Sequence, residues 1–269
     1  MTLGFNHIGR LGQLGNQMFQ YASLKGIARR NGYEYIIPQN EAVDDGLGNR
    51  LRTELFDPFD LEVKSGIIET DKYWKEPHFH FSEELFNTCP DNTSLWGFFQ
   101  TEKYFRHIRD ELLEDFTFKH EILEPCREMM SQFNEPPISV HVRRGDFLIN
   151  SGNHYNLSLD YYENAISLLP RVYDSCNLPV LVFSDDPDWC KEQKLFEDDR
   201  FMISEGNSAY VDMCLMSMCS WHVIANSSFS WWGAWLSDSK KVIAPSKWFG
   251  PNNASNDTKD LYCEGWIIL

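Results

Sequence analysis

From Pro136 onward the chain repeats one pattern: a short apolar run, a polar loop, then a segment with helical spacing. Residues 138–142 run into Arg143-Arg144-Gly145-Asp146. Residues 180–183 run into Ser184-Asp185-Asp186-Pro187, and residues 222–225 into Asn226-Ser227-Ser228-Phe229-Ser230. A fourth run, 242–244, stops at Pro245. Helices are predicted between these runs, over 159–169, 188–194, 209–219 and 229–236. Strands alternating with helices make a parallel sheet, and ligands of such sheets bind beyond the carboxyl ends of the strands. The three polar loops lie at such ends.

The other half reads differently. Up to about Phe133 aromatic and charged residues mix, as in Tyr73-Trp74 and Trp96-Gly97-Phe98-Phe99-Gln100, and few strands stand out. One signal is clear. A glycine-rich stretch, Gly12-Gln13-Leu14-Gly15-Asn16-Gln17, opens a helical stripe of apolar positions 18, 21, 24, 27 and 28. Asn31-Gly32 ends that helix, and a strand follows over 33–37. Gly15, Asn16 and Gln17 therefore sit where backbone N–H groups favour anions or sugar oxygens. The pair Pro136-Pro137 and the polar run before it mark a boundary. We expect an N-terminal α/β domain over 1–133 and a C-terminal Rossmann-like domain over 134–269, with the last segment a candidate to pack back on the first domain.

Composition narrows the partners. A net charge of -16 disfavours nucleic acid and anionic membrane, both of which reward a basic surface. An anionic small ligand stays open, because it needs only a few local cations. No apolar stretch approaches the ~20 residues of a membrane span, and the first residues lack the apolar core of a signal peptide. The seven cysteines are odd in number and unclustered, and read as reduced, buried thiols of a cytoplasmic protein. Any membrane association is expected to be peripheral, on the inner face.

Arg143 and Arg144 follow a buried strand and precede a glycine. Guanidinium groups grip phosphate bidentately and stay charged. A surface ion-pair cluster fits this position poorly. One arginine is expected to face an anion while the other pairs with Asp146 or Asp185 to hold the loop. His141 either donates to phosphate or sugar, or is a satisfied core histidine. Asp186 is best read as an N-cap with Pro187 at N1, and Asp185 as a loop anchor or ligand contact. Paired aspartates also suit a metal, though Asp-Asp alone signals it weakly. Asp212 lies in an otherwise apolar helix, where it either reads the adjacent N–H donors of a purine or faces solvent. Ser227 and Ser228 either cap a helix or bind phosphate at its start. The Gly-x-Ser-x-Gly elbow, the Walker A loop and H-E-x-x-H are absent, which disfavours those chemistries.

Four ordered motifs add up to a resemblance. Gly12-x-Leu14-Gly15-Asn16-Gln17-Met18-Phe19-Gln20-Tyr21-Ala22, His141 to Asp146, Phe183 to Asp186 and Asn226 to Leu236 resemble those of the α-1,2-fucosyltransferases, glycosyltransferase family 11, over positions 9 to 250. Gln13 departs from the smaller residue more usual there. The resemblance implies a GT-B-like fold of two α/β domains. It implies transfer of L-fucose from GDP-β-L-fucose to the 2-hydroxyl of a galactoside-terminated glycan, with inversion and no required metal or cofactor. In that frame Arg143 neutralises the leaving β-phosphate, His141 assists it, and Asp212 reads guanine. Ser227, Ser228 and Phe229 line the diphosphate and base, and Asn16 approaches the fucose from the N-terminal domain. Gly15, Gln17, Arg144, Ser184, Asp185 and Asn226 complete the expected donor site. Asp146 is the candidate general base, with His154 and acidic residues of the N-terminal domain as rivals. A GDP-sugar-binding protein without transfer activity is the alternative of another class. A fucosyltransferase of another linkage is the alternative within the class, and Trp231-Trp232 and the Leu14 motif favour α-1,2.

Overall fold

The computed structural model describes residues 1–44, 46, 50–173 and 178–269. These residues form two compact units, Met1–Lys119 with Asn256–Cys263, and His120–Ser255 with Glu264–Leu269. The division falls before the expected boundary at 133/134. The helix His120–Met130 is the reason: it buries Ile122 and Cys126, and the Cys126 thiol donates to the Val211 carbonyl of the second unit at 3.7 Å. Pro136-Pro137 marks only the entry to a strand. The segment Asn256–Cys263 is tied into the first unit by Asp260, which accepts from Lys103 Nζ at 2.6 Å and from the Phe81 N–H at 3.1 Å.

In the first unit the strands are β1 (Thr2–Gly4), β2 (Glu34–Ile36), β3 (Val43–Asp44), β4 (Arg50–Leu51), β5 (Tyr73–Lys75) and β6 (Thr93–Trp96). A parallel sheet runs β2-β1-β6-β5, and β3 and β4 pair antiparallel. The helices are α1 (Leu14–Asn31), α2 (Glu83–Thr88) and α3 (Arg109–Asp115). The apolar stripe foretells α1 but understates it. Every residue from Leu14 to Ala28 except Asn16 is buried, so polar side chains on its other faces need partners. Lys25 finds Asp115 at 2.6 Å, and the Ser23 hydroxyl donates to the Phe99 carbonyl. Gly32, at φ 70°, closes the helix in the left-handed region.

One carboxylate organises the loop after β6. Glu76 accepts from the backbone N–H groups of Phe98 and Phe99 at 2.8 and 2.9 Å. Gly97 makes the approach feasible: its φ is +156°, and a Cβ there would lie 2.5 Å from that of Glu76. Burial pushes the Glu76 carboxyl up to about 7, against the pull of its two amide bonds. A carboxyl raised in the folded state keeps its proton where the unfolded chain has lost it. Its contribution is therefore complete below its ordinary value of 4.5 and gone above about 7. Denaturant melts from pH 4.5 to 8 should show a loss on the order of 2–3 kcal/mol that Glu76→Gln flattens. Equal slopes in both proteins would discount this carboxyl.

The second unit opens with α4 (His120–Met130) and continues with β7 (Ile138–Val142), α5 (Gly145–Ile149), α6 (Leu159–Tyr173), β8 (Val180–Ser184), α7 (Pro187–Lys191), β9 (Phe201–Ile203), α8 (Ala209–Ser217), β10 (Trp221–Val223), α9 (Ser228–Leu236), β11 (Val242–Ala244) and β12 (Ile267–Ile268). Its sheet is parallel throughout in the order β12-β11-β10-β7-β8-β9. All five residues of β7 are buried, as suits a central strand covered on both faces. From β7 the chain builds outward through β8 and β9, then returns to add β10 to β12 on the other side. The reversal lies between β7 and β10, which makes a switch point of the loops that follow them.

Both edge strands are apolar but too short to stand out as runs. β9 is three residues long with none buried, and β12 has two. The 209–219 helix ends at Ser217, leaving Cys219 outside it. The six described cysteines, Cys89, Cys126, Cys190, Cys214, Cys219 and Cys263, are buried and form no disulfide; Cys176 lies outside the described residues.

Candidate functional site

The loop after β7 sits at the switch point. Strand alternation puts His141 and Arg143 on one face. His141 is 4% exposed and its ring approaches Phe229 of α9 at 5.6 Å, which links the loops on the two sides of the switch. Its Nδ1 is buried with no partner. Burial, with the Arg143 charge adding to it, pushes the His141 imidazole down to about 3. It is therefore neutral and keeps one N–H to donate.

Arg143 is clamped by two carboxylates, with Asp146 at 2.5 Å and Asp185 at 3.1 Å, while its Nε is buried and unpartnered. Its guanidinium lies over the Phe147 ring at 5.2 Å. The backbone N–H of Arg143 donates to the phenol of Tyr162, a fully buried residue of α6. Sequence periodicity places Tyr162 on a helix but gives no sign of this bond. The preceding Tyr161 donates to the carbonyl of Ile224, just past β10, at 2.7 Å. Adjacent tyrosines of α6 thus hold both sides of the switch.

Arg144 turns elsewhere. It pairs with Asp186 at 3.0 Å and stacks 3.7 Å over the Trp189 ring. Asp185 does double duty, accepting from the Arg144 N–H at 2.8 Å while its other oxygen faces Arg143. Gly145 permits this, since a Cβ there would sit 2.3 Å from that oxygen. Asp186 is the N-cap of α7, accepting from the Trp189 N–H with Pro187 at N1 as expected, and the Ser184 hydroxyl accepts from the Asp186 N–H at 3.0 Å. The acidic pair after β8 thus serves the two arginines. Among the described residues no group of three or more His, Cys, Asp or Glu is placed to hold a metal ion, and no helix is long and apolar enough to cross a membrane.

After β10, Asn226 is 3% exposed and spends both amide protons on the carbonyls of Tyr155 and Trp248, each at 2.8 Å. The structure makes it a staple between loops, where the sequence suggested a ligand contact. Ser227 caps α9 by accepting from the Phe229 N–H at 3.3 Å, and Ser228 and Phe229 remain half-exposed at the helix start. Asp212 lies in the first turn of α8, where Ser204 donates to it at 2.7 Å and Asn207 adds a second bond. Burial raises its carboxyl above the usual range. Ser204 directly follows β9, so Asp212 faces the same carboxyl edge as Arg143.

In the first unit Gln17 is likewise structural. It is fully buried, donates to the Gly12 and Arg52 carbonyls, and accepts from the Glu54 N–H. Gly15 is buried in the first turn of α1, and Gln13 takes the N-cap position without a side-chain cap. Asn16 is half-exposed, its carbonyl oxygen accepting from Gln100 Nε2 at 2.7 Å. Gly12, at φ +101°, leaves room for it, since a Cβ would fall 2.1 Å from Asn16 Nδ2.

Comparison with known proteins gives the family and the fold class. The sequence profile of glycosyl transferase family 11 matches residues 2–269. An alpha-1,2-colitosyltransferase of Escherichia coli is 33% identical over 273 residues, covering 88% of this chain and 90% of that protein. The human galactoside alpha-(1,2)-fucosyltransferase 1 is 26% identical, covering 86% and 65%. Among solved structures, NodZ alpha-1,6-fucosyltransferase soaked with GDP-fucose superposes with a TM-score of 0.53 at 17% identity, covering 87% of this chain and 92% of that one. The fold is thus α/β and GT-B-like, with a parallel sheet in each unit. The chain belongs to glycosyl transferase family 11.

Proposed function

We propose that this chain is an inverting α-1,2-fucosyltransferase that moves L-fucose from GDP-β-L-fucose to the 2-hydroxyl of a galactoside. One observation carries the reading most. At the switch point of the second sheet, His141 and Arg143 share a face, and each keeps a buried nitrogen without a partner. Such nitrogens are costly to leave unmatched, and a phosphate oxygen would satisfy both.

In this reading the C1–O bond to phosphate breaks with its electron pair moving onto phosphate oxygen. Arg143 meets that growing negative charge with a fixed positive one, so it stabilises the transition state more than the bound donor. The neutral His141 donates its one N–H to the same group. The start of α9 adds the backbone N–H of Ser228, at a helix N-terminus suited to an anion. Asp212 accepts from the N–H edge of guanine; a carboxylate has roughly four lone-pair sites, and Ser204 and Asn207 use part of that capacity. Arg144, Asp185 and Ser184 hold the loop. Charge supplied by arginine makes a metal unnecessary, and no cofactor beyond the donor is invoked.

The 33% identity to a colitosyltransferase favours a second donor, GDP-colitose. A binding protein without transfer is the third outcome. Incubating the chain with each GDP-sugar and a panel of galactosides, followed by linkage analysis, separates the three. A β-galactoside product fucosylated at O2 is expected. GDP binding with neither transfer nor donor hydrolysis would leave a binding protein. Asp212→Asn should raise the Kd for GDP at least ~10-fold while leaving that for ADP unchanged. Equal weakening of both would remove Asp212 from base reading.

A further inference from the structure

The donor residues leave open what takes the acceptor proton. Asp146 is next to Arg143, but its carboxylate is engaged by that guanidinium at 2.5 Å. His141 is deeply buried and a very weak base. A third group stands close by. His154 ends the loop after α5, which is stitched to the loop after β11. The Gly250 N–H donates to the Asn153 carbonyl at 2.9 Å and the Asn252 N–H to the Gly152 carbonyl at 2.8 Å. His154 itself bridges Phe249, and its own N–H donates to the Asn150 carbonyl at 3.1 Å.

The ring is fixed as firmly as the backbone. It stacks on Phe147 at 4.0 Å and 9°, and the Arg143 guanidinium also lies over the Phe147 ring, at 5.2 Å. Among the described residues no side chain or carbonyl bonds either ring nitrogen of His154, and neither nitrogen is a buried orphan. The result is a half-buried imidazole, immobilised one ring away from the candidate phosphate anchor, with accessible nitrogens.

Resting on the reading above, we propose that His154 is the general base that takes the proton of the acceptor hydroxyl. The acceptor O–H breaks as its oxygen forms the bond to C1. The C1–O bond to GDP breaks with its electrons going to the phosphate, and the proton resides on His154 until water removes it. The charges facing the ring are Asp146 from α5 and Arg143 from the end of β7; Phe249, Gly250, Pro251, Asn252 and Asn253, on the facing loop, bring none. Burial holds the imidazolium below its ordinary range, with Asp146 pulling up and Arg143 pushing down. The ring is therefore the free base at neutral pH, the state the role requires. Donor phosphate bound at Arg143 would weaken that guanidinium's hold on Asp146, and the freed carboxylate would make His154 more basic once the donor is seated.

The test compares the full chain with His154→Gln, His154→Phe and His154→Ala. Readouts are kcat, acceptor KM, GDP affinity and the pH profile of kcat/KM, with a galactoside and whichever GDP-sugar the wild type uses. Turnover should fall ~100-fold or more in all three, in the range of a lost general base, with GDP affinity within about twofold. The acidic limb of the wild-type profile should flatten in His154→Gln, and added imidazole should restore turnover to His154→Ala. His154→Phe keeps a ring on Phe147 and controls for the stack. Turnover of His154→Gln within about threefold of wild type overturns the assignment, as does loss of GDP binding in both His154→Gln and His154→Phe, which would make the ring structural. A wild type that transfers nothing overturns the functional reading as well; an active wild type with an unaffected variant overturns this inference alone.

Discussion

Arg143→Ala is expected to abolish transfer, by roughly 10³-fold or more in kcat, the scale of losing a main electrostatic stabiliser of a developing oxyanion. The fold should survive. Arg143, Asp146 and Asp185 keep about a fifth to a quarter of their side-chain surface in solvent, so the carboxylates left behind can hydrate. Arg143→Lys separates charge from geometry. Lysine keeps the charge but has no planar fork, so it cannot meet Asp146, Asp185 and a phosphate together. It should recover only a small part of the lost rate. Turnover, GDP affinity and a thermal melt on each variant decide the point. Near-normal turnover in Arg143→Ala would refute the phosphate role, and a collapsed melt would make the residue structural.

Gly145→Ala should also have a large effect, on both stability and turnover, although alanine is the milder residue in most helices. The added methyl would lie 2.3 Å from the Asp185 carboxylate, far inside van der Waals contact. Asp185 cannot withdraw without releasing both the Arg144 N–H and the Arg143 guanidinium. Overpacking of this kind costs about 1–3 kcal/mol. Turnover should fall at least tenfold, because Arg143 loses one of the two groups that aim it. A double-mutant cycle gives the cleanest measurement. On an Asp185→Ala background the clash has no partner, so Gly145→Ala should add little to either loss. Full additivity would locate the damage elsewhere.

Much of the second unit was legible in the residues because strands buried on both faces must be apolar throughout. The runs at 138–142, 180–183 and 242–244 match β7, β8 and β11 closely, and the helices between them begin near their expected starts. The edge strands β9 and β12 were not legible because each is so short: Phe201-Met202-Ile203 and Ile267-Ile268 are apolar but span only three and two residues. In the first unit the α1 stripe was visible, but its polar positions gave no hint of burial. Whether Gln17 touches ligand or backbone depends on Arg52 and Glu54, 35 and 37 residues away. The domain boundary misled for a similar reason. Proline pairs break local structure, whereas unit membership follows where the apolar face of α4 is buried.

The candidate site divides along the same line. Residue types and spacing by themselves determined that an Arg-Arg-Gly-Asp loop follows a buried strand and that Asp186 and Pro187 start a helix, because strand ends, caps and turns are local chemistry. The order of the motifs also determined the family. Only the tertiary structure decided which arginine is aimed by paired carboxylates and which is stacked on Trp189. Only it showed that Asn226 is a staple, that Tyr162 holds the Arg143 amide, and that His154 lies one ring away from Arg143. Most of those assignments depend on partners far apart in the chain, as Asp185 is from Arg143 and Tyr155 from Asn226, and hydrogen bonds, ion pairs and stacked rings are satisfied by proximity in space, which spacing along the chain does not encode.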